Sequence, residues 1–351
     1  MTLPFAGDDE LEAIAQRFRD TLIRYRNVPF YGTLGPQILE DPEILGILRG
    51  VSVEKQLPNL LLGAVHYLLL KGEEHPLADY YVTRNASPKP PETAYPLFRE
   101  FCLAHADRIN QIAKTRWVQV NEVQRCTMFL PAFTMVSERE NGQPLAVLEI
   151  GSSAGLLLLW DMYRYDFGIK QVGPAEADIV LSCKLSGALQ PPLPETWPPV
   201  ALRLGMDIAP VDLDDPDQVL WLRALVWPDQ PERAERLDRA IALAKRARPT
   251  VVAGDAKTDI AQIAAQIPAD APLVIFYAGL LTTAADAAKP QIDALAQQRP
   301  VYVVGIVGKK LYLWDYQRGG DQPILLANTS GIGEWIEWVD AETSPGPLAD
   351  R

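Results

Sequence analysis

Apolar residues recur at helical spacing through the first 140 positions and then change to short unbroken runs. In LEAIAQRFRDTLIRYRN, residues Leu11, Ile14, Phe18, Leu22 and Tyr25 fall three or four apart, which predicts an amphipathic helix. PNLLLGAVHYLLLKG is apolar on every side from Pro58 to Gly72, the pattern of a fully buried helix. PLFREFCLAHADRINQIAKT repeats the amphipathic pattern. RWVQVNEVQRCTMFLPAFTMVSERE predicts one more helix, with a kink or break at Pro131. TRNASPKPPETAYP between these helices reads as a loop.

After Asn141-Gly142 the period changes. PLAVLEIG is a short apolar run ending in glycine, which reads as a buried strand, and SAGLLLLWDMYRYDF reads as the helix after it. ADIVLSCKL and PVALRLGMD are strand-like, TVVAGD follows a long helical stretch, and PLVIFYAGLL and PVYVVGIVG complete the series. Strands alternating with helices predict a parallel sheet covered on both faces. KLYLWDYQRG and GEWIEWVD predict antiparallel strands at one edge. The reading is therefore an α/β fold: an all-helical N-terminal domain over 1–140, then a mostly parallel α/β domain over 141–351 with an inserted strand region at about 164–205.

Composition narrows the function. Hydrophobic residues make up 48% and charged residues 22% of the 351, enough apolar material for a large soluble core. A net charge of −12 with no dense Lys/Arg run excludes the basic face that nucleic acid or an anionic membrane requires. MTLPFAGDDELEA lacks the basic and apolar blocks of a signal peptide, and the apolar stretch Leu60–Leu70 is too short for a bilayer, so the expected location is cytoplasmic. Cys102, Cys126 and Cys183 follow no metal-ligand spacing and are expected to be buried thiols, with no metal bound. The sequence does not set the oligomeric state.

The chemistry centres on EIGSSAGLL, Glu149 to Leu157. Gly151 to Gly155 fits G-x-S-x-G, the turn that presents a serine nucleophile. That fold places its histidine after the serine, whereas His66, His75 and His105 all precede Ser153. Ser153 is therefore expected to be a loop contact and not a nucleophile, and His66 a hydrogen-bonded core histidine. The dinucleotide pattern G-x-G-x-x-G fails as well, and no P-loop lysine follows. What remains is an acid and a glycine turn after a first parallel strand. Here Gly151 lets a ligand approach the backbone, and N–H groups at the next helix's start receive a carboxylate.

That arrangement resembles the class I S-adenosylmethionine-dependent methyltransferases, with their Rossmann-like sheet. The resemblance implies a cofactor site built from Glu149, Gly151, Ser152, Ser153 and Gly155. Asp207 in RLGMDIAP would lie at the ribose, and Asp255 and Ala256 in VVAGDAKTD beside the adenine. Each acid has a plainer reading too: Glu149 and Asp255 as helix caps, Asp207 as a turn residue before Pro210. More closely, LPNLLLGAVHYLLLKGEEHPLADYY, TRWVQVNEVQRC, VLEIGSSAGLLLLWDMYRYDFG, RLGMDIAPVDLDDPD and WLRALVWPDQPER resemble the bacterial domain of unknown function 2332 family. The chain departs from that family's pattern at Leu157, at Val120, and at Tyr277, where a histidine is often found.

For a methyl acceptor the resemblance points to the end of the fourth strand, at Tyr277. A second polar group lies in the segment before the sheet: Arg116, Gln119, Asn121, Glu122 and Arg125 crowd into ten residues. Read as a helix, most of these share one face, either a solvated face or a lid, and two arginines suit an anionic small-molecule acceptor such as a carboxylate. Neither an Asn/Asp-Pro-Pro-Tyr nor a Pro-Cys motif is present, which argues against the common nucleic-acid methylases. The expected function is methyl transfer to a small molecule. The alternatives are a non-catalytic binder of S-adenosylmethionine or another nucleoside, and a partner-binding protein with a vestigial pocket.

Overall fold

In a computed structural model, residues 7–25, 28–279, 282–320 and 322–340 are described. The N-terminal residues 1–6, the side chain of Tyr25, Leu280 and Leu281 of the PLVIFYAGLL run, and positions 341–351 lie outside this set. Contacts divide the chain into two units, 1–120 with 214–235, and 121–213 with 236–351. The sequence reading placed the boundary near 140. The difference arises because helix Cys126–Arg139 packs on the sheet, while helix Pro216–Ala224 returns to the helical unit.

The first unit is helical. Helix Leu57–Leu70 carries no formal charge and is buried on almost every side. Gly63 gives it close passage along helix Pro216–Ala224, since a Cβ there would lie 3.1 Å from Leu225 and 3.3 Å from Trp221. Its His66 is held at Nδ1 by the Ala224 carbonyl (3.0 Å) and at Nε2 by Thr83 Oγ1 (2.8 Å). Burial pushes its pKa down to about 4, so it is a neutral core residue.

Helix Ala106–Thr115 ends where Lys55 Nζ donates to the carbonyls of Ala113, Lys114 and Arg116 at 3.2, 2.7 and 3.0 Å. Beyond it, 116–122 is irregular and not helical. Arg116 is already extended, and Trp117 is 43% exposed with Lys55 over its ring. Glu122 N-caps a short 3₁₀ turn, Val123–Arg125, by accepting from Gln124 N at 3.1 Å. The helical face predicted for Arg116 to Arg125 therefore does not form. The following helix, Cys126–Arg139, continues through Pro131 without a break.

The second unit holds β1 (Leu145–Ile150), β2 (Arg164–Asp166), β3 (Gln171–Val172), β4 (Val180–Ser182), β5 (Lys184–Ser186), β6 (Val200–Asp207), β7 (Thr250–Ala253), β8 (Leu273–Ala278), β9 (Val301–Val307), β10 (Lys310–Asp315), β11 (Ile324–Thr329) and β12 (Trp335–Trp338). The large sheet runs β5-β12-β11-β10-β9-β8-β1-β6-β7, and β3-β2-β4 form a small one. From β9 to β7 every pairing is parallel, while β10, β11 and β12 extend the sheet antiparallel. One face packs Ala146, Leu148, Ile150, Met206 and Ile275 with Ile260 and Ile292 from two helices. On the other face Phe276 meets Phe129 and Phe133 of helix Cys126–Arg139, at 5.1 and 5.3 Å between rings. The chain is thus α/β with a large, mostly parallel sheet.

The helix expected after β1 is replaced by a short 3₁₀ segment, Leu157–Met162, with Leu159 out of helical geometry. Carbonyls that an α-helix would use accept from side chains instead. Tyr163 donates to Leu156 O (2.8 Å), Cys126 to Leu157 O (3.8 Å) and Tyr165 to Trp160 O (2.5 Å). All three cysteines are buried thiols.

Candidate functional site at the carboxyl ends of the parallel strands

Side chains alternate along a strand, and paired residues on neighbouring strands share a face. Glu149 pairs with Gly205 on one side and Phe276 on the other, so it points to the face covered by helix Cys126–Arg139. Gly205 leaves a hollow beside it: a Cβ there would lie 2.4 Å from Ser152 Oγ. Ser152 fills that hollow and donates to Glu149 Oε2 at 2.8 Å. The carboxyl is 2% exposed, and burial pushes its pKa well above the usual carboxylate range. The Ser152 bond and the charge of Arg125 pull it down, and Asp207 pushes it up.

The turn after β1 has Gly151, Ser153 and Gly155 in the left-handed region, at φ 76°, 52° and 71°. Glycine meets this conformation without cost, whereas serine is strained there. Each backbone N–H of the turn has a partner. Gly151 and Ser152 donate to Met206 O at 2.9 and 3.1 Å, and Ser153 to Asp207 Oδ2 at 2.8 Å. Ala154 donates to Asn121 Oδ1 at 3.4 Å, and Gly155 to Ser152 O at 2.8 Å. The expectation of open N–H groups at the start of a helix is therefore corrected on both counts: the groups are used, and the helix is a 3₁₀ turn. Gly155 is required sterically as well, because a Cβ would lie 2.9 Å from Val251.

Asp207 ends β6 with its carboxylate fixed by two N–H groups, Ser153 on Oδ2 and Ala209 on Oδ1, both 2.8 Å. Its carbonyl accepts from Gly254 N at 3.0 Å, which draws the turn after β7 alongside. Asp255 follows, exposed, and closes that turn by accepting from Lys257 N at 2.9 Å. Glu149, Gly151, Ser152, Ser153, Gly155, Asp207 and Asp255 thus gather at adjoining strand ends. Ala256 departs from expectation, because its side chain is buried with Ile260 and Met206 in the core.

Tyr277 departs further. It pairs with Ile150, one step out of phase with Glu149, so its ring lies on the opposite face of the sheet. There it lies flat over Gly305, where a Cβ would be 2.4 Å from its Cζ.

The segment before the sheet splits as well. Asn121 Nδ2 donates to Ser153 Oγ at 3.0 Å. Glu122, fully buried, accepts from Arg236 Nε and Nη2 at 3.2 and 3.1 Å. Arg116 belongs to the helical unit, where it pairs with Asp217 and stacks over Tyr67 and Trp221. Tyr67 also donates to Asp217, and Lys71 Nζ reaches it at 2.9 Å. The Tyr67 bond, aided by Lys71 and Arg116 against a burial cost, holds the Asp217 carboxyl down at about 2. Sequence reasoning missed Arg236 and Asp217: each meets its partner across more than 100 residues (separations of 114 and 101), and no local pattern reports such a pairing.

Among the described residues, no group of three or more His, Cys, Asp or Glu side chains is placed to share a metal ion, and no helix is long and apolar enough to cross a membrane. No curated protein and no solved structure matches the chain. One family model does, over residues 16–338, described as an uncharacterized protein conserved in bacteria (DUF2332). With nearly its whole length matched, the chain belongs to the DUF2332 family.

Proposed function

We propose that this chain is a class I-type S-adenosylmethionine-dependent methyltransferase for a small acceptor. The observation that carries this reading is a set of three adjoining parallel strands. They end in Glu149 with the left-handed Gly151, in Asp207, and in the turn of Asp255. Ligands of open parallel sheets gather at that edge, where connections leave a central strand in opposite directions. β1, between β6 and β8, is that strand. Asp207 suits the hydroxyl-bearing end of the cofactor, because two N–H groups orient its carboxylate and a carboxylate retains lone pairs for further donors. The cofactor supplies an electrophilic methyl group. The protein's part is to hold the acceptor in line and take up its proton. Arg125 remains a candidate for holding an anionic acceptor. Tyr277, on the opposite face, and Arg116 and Glu122, paired with Asp217 and Arg236, leave the list.

A second reading, binding without transfer or a vestigial pocket, is favoured by the closed turn: its N–H groups are used internally, and Glu149 is buried. Calorimetric titration with S-adenosylmethionine separates the readings. Binding, followed by S-adenosylhomocysteine release with a panel of small carboxylates, is expected for the transferase. Binding without release across a broad acceptor panel gives the non-catalytic binder, and no binding at millimolar ligand gives the vestigial pocket.

A further inference from the structure

Ser153 is held from several sides. Its N–H is on Asp207, its carbonyl accepts from Val211 N at 3.0 Å, and its hydroxyl accepts from Asn121 Nδ2 at 3.0 Å. Asn121 also accepts from the next N–H, Ala154, at 3.4 Å. Among the described residues Ser153 is one of three non-glycine positions at positive φ, at 52°. A strained conformation persists only where its surroundings over-determine it. Asn121 is the side chain that grips both the strained residue and its successor, and it arrives from an irregular segment far from the turn in sequence.

We propose that Asn121 is a positioning residue. By gripping Ser153 Oγ and Ala154 N–H it holds the turn of Gly151 to Gly155 in its left-handed shape, and so sets the affinity of that turn for its ligand. This takes Asn121 out of the acceptor-binding group. The ligand clause rests on the methyltransferase reading, while the clamp itself does not.

The test is residue-by-residue amide exchange by NMR on the full chain, without ligand, beside thermal melting. In Asn121→Ala, exchange at Ser153 and Ala154 should rise about fivefold or more, the scale of one lost hydrogen bond, with sheet amides of β1 and β8 unchanged. Adding Ser153→Gly should return residue 153 toward wild-type protection, because glycine adopts the left-handed region freely. Ala154 should stay fast in that double variant, its acceptor still missing. S-adenosylmethionine affinity should fall about fivefold in the single variant and recover in the double. Unchanged exchange at Ser153 and Ala154 would overturn the proposal. So would a rise spread over the whole sheet that Ser153→Gly does not reverse, which is what a merely structural role gives. If Asn121→Ala does not fold, Ser153→Ala against Ser153→Gly decides. Both lack the hydroxyl and only glycine is unstrained, so equal exchange in the two would overturn the clamp. A wild type that binds no S-adenosylmethionine removes the proposed function and leaves the exchange comparison intact.

Discussion

Two carboxyl groups, one in each unit, meet opposite surroundings. Asp217 sits at the start of a helix, partly exposed, with Tyr67, Lys71 and Arg116 converging on it. Glu149 sits at a strand end, buried, with the Ser152 hydroxyl as its donor. The first is held charged and the second is pushed toward the neutral acid. An ion-pair network with this many donors is a stability device whose worth is limited by solvent. A buried carboxyl with so little compensation costs stability and persists where something else requires it, the pattern of functional sites.

The buried surroundings of Glu149 are most vulnerable at Gly205. Gly205→Val would drive Ser152 out of its hollow and uncover Glu149. A loss of about 3 kcal/mol, at the upper end for overpacking a core, is expected in thermal or denaturant melts. A melt within error of wild type would mean that the hollow is not filled as described.

Ser152→Ala acts on Glu149 alone and should cost about 2 kcal/mol, the penalty for stripping a partner from a buried polar group. It should also change the pH profile. A carboxyl with a raised folded pKa contributes most at pH values below its unfolded pKa, and that contribution is lost as pH rises toward the folded pKa. Wild-type stability should therefore decline above the usual carboxylate range, and Ser152→Ala should carry the decline to higher pH, because the bond it removes pulls the pKa down. Urea melts across pH 4 to 8 read both effects.

Asp217→Asn should do the reverse. The stabilising charge is present above the unfolded pKa and lost as pH falls from 3.8 to about 2. Discounted for its exposure, the loss at neutral pH should be about 1 kcal/mol and should shrink as pH falls toward 2, vanishing only below it. A variant equally impaired at both ends of that range would assign the effect to packing. Arg116→Lys, the smallest change, should cost only a few tenths of a kcal/mol, the scale of one partly exposed ion pair within a shared network. A loss as large as that of Asp217→Asn would make the stacking of Arg116 over Tyr67 and Trp221 the greater part of its contribution.

The strand-end acids were legible in the sequence because a buried strand announces itself as an apolar run, and its end is marked by the first glycine or acid. The faces of those strands were not. PLVIFYAGLL is apolar on both sides of β8, so nothing in it tells that Phe276 shares a face with Glu149 and that Tyr277 does not. Arg116 to Arg125 showed the reverse failure: a three-residue recurrence imitated a helix face where the chain is irregular and then makes a short 3₁₀ turn. The deciding contacts, Lys55 on the end of the preceding helix and Glu122 as cap of the next turn, are an unrelated long-range pairing and a local alternative to the helix. The helix after β1 failed for a similar reason, since hydroxyls and a thiol took its carbonyls. Periodicity reports which residues prefer burial. It does not report who accepts their neighbours' hydrogen bonds.

The return of 214–235 to the helical unit has a consequence for the order of events during synthesis. A chain emerging from the ribosome presents the apolar Leu57–Leu70 helix early, yet Trp221, Ala224 and Leu225, which complete its core, are made much later. His66 waits for a carbonyl 158 residues downstream. Throughout that interval the N-terminal helices lack part of their apolar core, and of the parallel strands β1, β6, β7, β8 and β9 only β1 and β6 have been translated before it can be completed. Shielding of apolar surface during translation would matter here, over a segment with seven leucines in fourteen residues.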